Sequence, residues 1–260
     1  MDTLRPYVAD LHVHTVASAC AEVEMIPPLI VRRAAELGLD CIAIADHHSV
    51  ENVAAVQEAA RPYGLAVLPG MEVQTKEEVH VLCLFDHVET ARQWQETVWD
   101  HLPDLPNREE FFGPQFVVDA QGEHLRTNER LLQASTDLGF EEVMRLVEEV
   151  GGLPIPAHVD REGFSLLANL GMIPPGAGVV AVEISPRTTP QEARRRFPQL
   201  AGMPLIQSGD AHRLSEMSST TRLLVAAPRV AELRLALRGE RGRRCWVASL
   251  HGGARPFAHR

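Results

Sequence analysis

Lysine is nearly absent from this chain: Lys76 is the only one, so cationic recognition falls almost wholly to arginine. Cysteine is scarce too. Cys20, Cys41, Cys83 and Cys245 are scattered without any CxxC spacing, which excludes a disulfide framework and fits a reducing compartment. No apolar run is long enough to span a bilayer, and the first residues lack a charged segment followed by an apolar one. A cytoplasmic protein with no membrane partner is therefore expected. Positive excess is missing as well. A net charge of −10 argues against a long nucleic acid as partner. No internal repeat or low-complexity segment is present. What remains is an ordinary globular composition, 45% hydrophobic and 23% charged, over a length that one large α/β barrel can occupy.

The most informative segment is Asp10-Leu11-His12-Val13-His14. In a regular strand alternate side chains share a face, so the aspartate and both histidines are expected to point the same way. Two imidazoles on one face can chelate a divalent cation, the basis of many hydrolytic centres. Alone, the segment is equally a polar strand face. Further ligands placed where a fold would converge them decide between the two.

Apolar runs and breakers predict alternating strands and helices. Pro27 and Pro28 open a helix over 29–37, stopped by Gly38. A buried strand over 39–45 runs into Asp46-His47-His48, and Ser49 is the expected N-cap of a helix through Ala60. Strands follow at 65–69, before Gly70-Met71-Glu72, and at 79–85, with His80 near its start. Helices are expected over 89–101 and 140–150, and strands over 153–159, 179–185 and 204–207. The last of these leads into Ser208-Gly209-Asp210-Ala211-His212. A strand, a helix and a short strand fill 222–248. The repeated order implies parallel strands with helical crossovers in a single domain over residues 1–250, followed by a flexible tail over 251–260.

Residues 103–137 break this rhythm with Pro103, Pro106, Gly113, Pro114 and Gly122. An insertion of this length in a compact domain is usually functional. It is expected to cap the site, with an oligomer contact as the alternative.

Most histidines and several acids fall at or beside predicted strand ends: His12, His14, Asp46, His47, Glu72, His80, His158, Asp210 and His212. In parallel α/β architectures these ends share one functional face, so distant segments deliver N and O ligands to one cavity. His48 must point differently from His47 and is expected to orient ligands or face the substrate, while Asp10 and Asp46 are assigned to orienting ligands rather than binding metal. His87, His101, His124, His251 and His259 lack strand-end context and are expected at the surface.

The set Asp10-Leu-His12-Val-His14-Thr15, Ala45-Asp46-His47, Gly70-Met-Glu72, His80, Pro156-Ala-His158 and Gly209-Asp210-Ala-His212 resembles the PHP (polymerase and histidinol phosphatase) family in content and order. The resemblance implies a distorted (β/α)7 TIM-like barrel with two or three divalent ions, zinc, manganese or iron. It implies one metal on His12, His14, Glu72 and Asp210, and a second on Glu72, His80 and His158. A third would use His47 and His212. There the family's usual additional ligand is absent, and Cys20 or Glu22 stands in its neighbourhood. His47, His212 and Asp210 are the implied catalytic residues, either imidazole being able to protonate a leaving alcohol if free of metal.

The function expected is hydrolysis of a phosphomonoester or phosphodiester by a metal-activated hydroxide, on a small phosphorylated substrate resembling a nucleotide, nucleoside bisphosphate or sugar phosphate. Arg161 and Arg187, following site segments, are the candidate phosphate contacts. The alternatives are 3′–5′ trimming of nucleic-acid ends and a non-catalytic metal-binding domain. Amide hydrolysis is more distant, because such barrels usually carry a bridging lysine and Lys76 is poorly placed for that role.

Overall fold

A computed structural model describes residues 3–248. The tail expected over 251–260, and the surface positions expected for His251 and His259, lie outside the described residues. Eleven strands and eight α-helices are found among those described. The strands are β1 (Arg5–Val13), β2 (Cys41–Ile44), β3 (Ala66–Gln74), β4 (His80–Leu84), β5 (Phe116–Val118), β6 (His124–Thr127), β7 (Leu153–Pro156), β8 (Val182–Ile184), β9 (Leu205–Gln207), β10 (Thr221–Val225) and β11 (Arg244–Val247). The helices are α1 (Pro27–Glu36), α2 (Val53–Ala60), α3 (Val88–Asp100), α4 (Glu109–Phe112), α5 (Phe140–Glu149), α6 (Leu166–Asn169), α7 (Pro190–Arg196) and α8 (Val230–Arg238). No helix among the described residues is long and apolar enough to cross a membrane.

One seven-stranded sheet runs β11-β10-β1-β2-β3-β4-β7, and β8 with β9 forms a separate parallel pair. The main sheet curls, and the pair occupies the gap between its β7 side and β1. Val159 N–H donates to Glu183 O beyond β7, while Ala211 bridges Val13 beyond β9. Counted around this ring, β1, β2, β3, β4, β7, β8 and β9 are seven staves of a distorted α/β barrel. Small and medium residues fill its interior: Ala9, Leu11, Cys41, Ala43, Leu68, Leu82 and Ile155 form one buried cluster with α8 residues such as Leu233. The opposite strand positions, Ile42, Ile44, Met71 and Val73, pack under the surrounding helices.

Strand direction departs from expectation. β1, β2 and β3 are parallel, but β4 is antiparallel to both β3 and β7, β10 is antiparallel to β1, and β11 pairs antiparallel with β10 at the sheet's edge. Only residues 75–79 join β3 to β4, too short for the crossover a parallel neighbour needs. The helix expected to open at Ser49 begins at Val53. Residues 49–52 form a turn in which Ser49 Oγ accepts from Glu51 N–H. Asn52 leaves the helix uncapped and uses its amide elsewhere, donating to Thr15 Oγ1 and Phe116 O and accepting from Val118 N–H.

Those Asn52 bonds fasten the insertion. Within 103–137, α4 precedes the β5–β6 hairpin, and Phe116 N–H donates to Val16 O. The segment lies along the loops that follow β1 and β2, and Thr136 closes it by bonding Gln74 O at the end of β3.

Candidate metal centre

A β-bulge separates the first motif into two functions. The register of β1 on β2 slips by one residue between Asp10 and Val13. Ala9 and Leu11 consequently face the barrel interior, while Val13 faces the helices. His12 and His14 turn into the barrel with Glu72, and Asp10 does not share their face. Its carboxylate instead accepts from Gly209 N–H at 2.9 Å and Ser218 N–H at 2.6 Å, tying β1 to the loop after β9. Burial pushes the Asp10 carboxyl up to about 7 against those donors. Gly209 is required there: a Cβ would lie 2.4 Å from Glu216 O and 3.0 Å from Asp10 Oδ2.

The imidazoles are held by hydrogen bonds that fix which nitrogen carries the proton. His12 Nδ1–H donates to Glu183 Oε2 at 2.9 Å. His14 Nδ1–H donates to Ser18 Oγ at 2.9 Å, and Ser18 passes its own proton to Asp46 Oδ1 at 2.7 Å. Asp46 also receives Thr15 N–H and Thr15 Oγ1–H. Both histidines therefore aim Nε2 inward, and the two atoms lie 3.2 Å apart. Two nitrogens at that distance, faced by carboxylates, need positive charge between them, a proton on His12 or a bound cation in its place.

Carboxylates complete the cluster. Asp210 Oδ1 is 3.1 Å from His14 Nε2 and 3.5 Å from His12 Nε2. Glu72 faces five imidazoles. Its Oε1 meets His80 Nδ1 at 2.8 Å, His158 Nε2 at 3.0 Å and His12 Nε2 at 3.4 Å, and its Oε2 meets His47 Nδ1 at 3.1 Å and His14 Nε2 at 3.5 Å. Burial opposes its charge, but His80, His12 and His47 hold the carboxyl well below the usual range. Burial likewise opposes charge on His12, yet Glu183, Glu72 and Asp210 raise it well above an ordinary imidazole. His14 is driven down to about 3, by burial and then by His212. Burial also pushes His47 far down.

Three groups of ligand atoms each fall within 4.8 Å: His12, His14, Glu72 and Asp210; His47, Glu72 and His80; and His14, His47 and His212. Buried Glu72 Oε2 and His158 Nδ1 have no hydrogen-bond partner. Orphaned, desolvated N and O atoms in a mixed imidazole and carboxylate set suit divalent zinc, manganese or iron, so the residues present fit the metals the family implies.

Other candidates are placed differently. His158 contacts Glu72 but is absent from the second group, where His47 stands. Cys20 is exposed and belongs to none of the three groups. Glu22 is paired with Arg213 at 2.8 Å. His48 lies behind the cluster, between Leu132 O and Gln74 N–H. Arg161 reaches Asp210 Oδ2 at 2.5 Å, on the side facing away from His14. Arg187 is exposed. His212 donates Nδ1–H to Asp210 O, and its ring stacks on His14 with 4.0 Å between centroids. Side-chain exposure of 12% for His47, 23% for His212 and 39% for Arg161 marks the open side of the centre. Glu183 was not legible as a site residue. It is a lone acid in an apolar strand, and only the fold brings it to His12.

The 5′-3′ exoribonuclease Rnm of Escherichia coli is 35% identical over 89 residues, 32% of this chain and 29% of that protein. This chain thus spans less than a third of the curated relative. Endonuclease Q, in complex with a 27-mer duplex carrying an abasic lesion at its active site, superposes with a TM-score of 0.66 at 18% identity, over 92% of this chain and 58% of that one. A putative metal-dependent phosphoesterase from Bifidobacterium adolescentis gives 0.55 at 19% identity, over 85% and 89% of the two chains. These relatives overturn the expectation against a long nucleic acid as partner, since the first two are nucleases and one holds a duplex. The error is physical: net charge sums the whole surface, whereas a phosphate meets the local field of metal ions and nearby arginine. The PHP domain model matches residues 10–166, more than half of the sequence, and the chain belongs to the PHP domain family.

Proposed function

We propose that this chain is a metal-dependent phosphoesterase acting on nucleotide phosphates, free or at the end of a nucleic-acid strand. The observation that carries the reading is the pair of inward Nε2 atoms on His12 and His14, 3.2 Å apart and faced by Glu72 and Asp210. His12, His14, Glu72 and Asp210 would hold one ion. Glu72 would be shared with a second ion beside His80, His47 and His158, and His212 would join His14 and His47 at the rim. Bound divalent ions supply Lewis acidity and a lowered water pKa at such a centre.

The chain's own groups do the rest. Arg161 sits beside Asp210 on the open side, where its guanidinium can exchange the carboxylate for phosphoryl oxygens in a bidentate contact. His212, with Nδ1–H given to Asp210 O, keeps Nε2 available to metal or to a leaving-group proton. The nuclease names among the relatives favour nucleic-acid ends over an unrelated sugar phosphate. The ribonuclease's polarity is 5′–3′, the reverse of the 3′–5′ trimming suggested by the sequence.

The test is turnover of a nucleotide and 5′-phosphorylated oligonucleotide panel by manganese-loaded protein, with Glu72→Gln as the partner measurement. Removing the shared carboxylate charge should lower kcat/KM by about two to three orders of magnitude. Equal rates in both proteins, or turnover that survives a chelator, would overturn the assignment.

A further inference from the structure

Phe164 stands at the edge of the metal centre in an unusual state. The residue is 47% exposed, and its ring lies 5.0 Å from the His80 ring, tilted by 30°. Its backbone adopts φ +55°, the left-handed region that a bulky residue rarely occupies. Gly163 precedes it, yet the glycine has no positive φ and the phenylalanine does. A bulky side chain held in this region points to a functional constraint on where it must stand.

The loop carrying Phe164 is braced. Ser165 donates its hydroxyl to Arg161 O at 2.7 Å and caps α6 by accepting from Ala168 N–H. His80 N–H donates to Phe164 O at 3.1 Å. One fixed loop thus presents a guanidinium on Asp210 and a half-exposed aromatic face over His80, on either side of the ligand cluster. A phosphate alone has no use for the ring, and His80 already has Glu72 and Gln74 as partners.

We propose that Phe164 is the stacking platform for the nucleobase of the substrate nucleotide, whose phosphate occupies the metal centre beside Arg161. This names the substrate class of the site and rests on the phosphoesterase reading above. Base stacking on an aromatic side chain tolerates any base, because every base has a π-face. The ligand is therefore a nucleotide of unspecified sequence, either free or at a strand end.

Manganese-loaded full-length protein carrying Phe164→Leu or Phe164→Tyr tests this with three substrates. These are adenosine 5′-monophosphate, ribose 5-phosphate and a 5′-phosphorylated oligonucleotide. Leucine keeps bulk over His80 but has no π-face. It should cost roughly 5- to 100-fold in kcat/KM on base-bearing substrates, chiefly through KM, while tyrosine retains activity and ribose 5-phosphate is unaffected. A loss on the oligonucleotide alone places the base at a strand end; a loss on the mononucleotide also places it in free nucleotides. Equal losses on ribose 5-phosphate and nucleotides, or none, would overturn the proposal.

A second readout needs no turnover. Fluorescence of Phe164→Trp, as a difference from wild type, should be quenched by adenosine 5′-monophosphate and not by ribose 5-phosphate. Quenching without turnover of any phosphoester would remove the phosphoesterase reading and leave the base site standing. Turnover without quenching would do the reverse.

Discussion

The floor and the rim of the metal centre are built on different principles. On the floor, His12 and His14 are fully buried, and each is oriented by a side chain that is itself anchored. Glu183 holds His12 and also receives His158 N–H, while Ser18 holds His14 and rests on Asp46. At the rim, His47 and His212 are partly exposed. The His212 ring is held by a carbonyl two residues away and by stacking on His14, with no anchored carboxylate or hydroxyl behind it as His12 and His14 have. A buried ligand with a fixed tautomer binds tightly because little reorganises on metal uptake. A partly exposed imidazole can leave the metal, take a proton or meet substrate. The arrangement separates holding the ion from handling the substrate.

The largest test of that division removes a floor support without touching a ligand. Glu183→Ala should weaken metal binding by about 10- to 100-fold, because His12 loses the acceptor that sets its tautomer. Competition against a chromophoric chelator measures this, and Glu183→Gln, which keeps an acceptor oxygen, should fall between the two. An unchanged affinity in Glu183→Ala would erase the distinction between floor and rim. The complementary change is His212→Ala. It should lower metal affinity by less than about tenfold, below the effect at the floor, while reducing kcat on nucleotide substrates. If it instead strips the metal as Glu183→Ala does, the rim histidine is a structural ligand and the substrate proton must be handled elsewhere.

What the sequence disclosed follows the same line. Ligands displayed as motifs, such as Gly209-Asp210-Ala211-His212 or His12 with His14, could be read because their spacing reports the chemistry. Their supports could not. Glu183 lies 171 residues from His12, and nothing local marks it. The alternation rule grouped Asp10 with the two histidines and failed there. A bulge adds one residue to β1, and periodicity two holds only where the strand is regular. The barrel was legible from alternating strands and helices, yet the reversed β4 was not. Direction depends on the short 75–79 connection more than on the apolar run itself. Arg161 was noticed for its place after His158, but its contact with Asp210 exists only once β7 and β9 stand near each other.

The smallest effect concerns the wall beside the rim. His48 accepts Gln74 N–H at Nε2 (2.8 Å) and donates Nδ1–H to Leu132 O (2.6 Å), joining the end of β3 to the insertion. A neutral imidazole alone satisfies both, and burial pushes its pKa down to about 4. Since the folded value is depressed, the unfolded chain binds a proton that the native state refuses between the ordinary value of 6.5 and about 4. Stability from this latch is complete well above pH 6.5 and is lost as pH falls through 6.5 toward 4. Glutamine can accept from Gln74 and donate to Leu132 without titrating. Between pH 7 and pH 6, wild-type protein should lose about 0.7 kcal/mol relative to His48→Gln in urea unfolding, the difference cancelling the other histidines. Parallel pH profiles would mean that the insertion's other bonds, those of Asn52, Thr136 and Phe116 among them, hold it without His48, and that the wall is independent of the histidine beside the metal ligands.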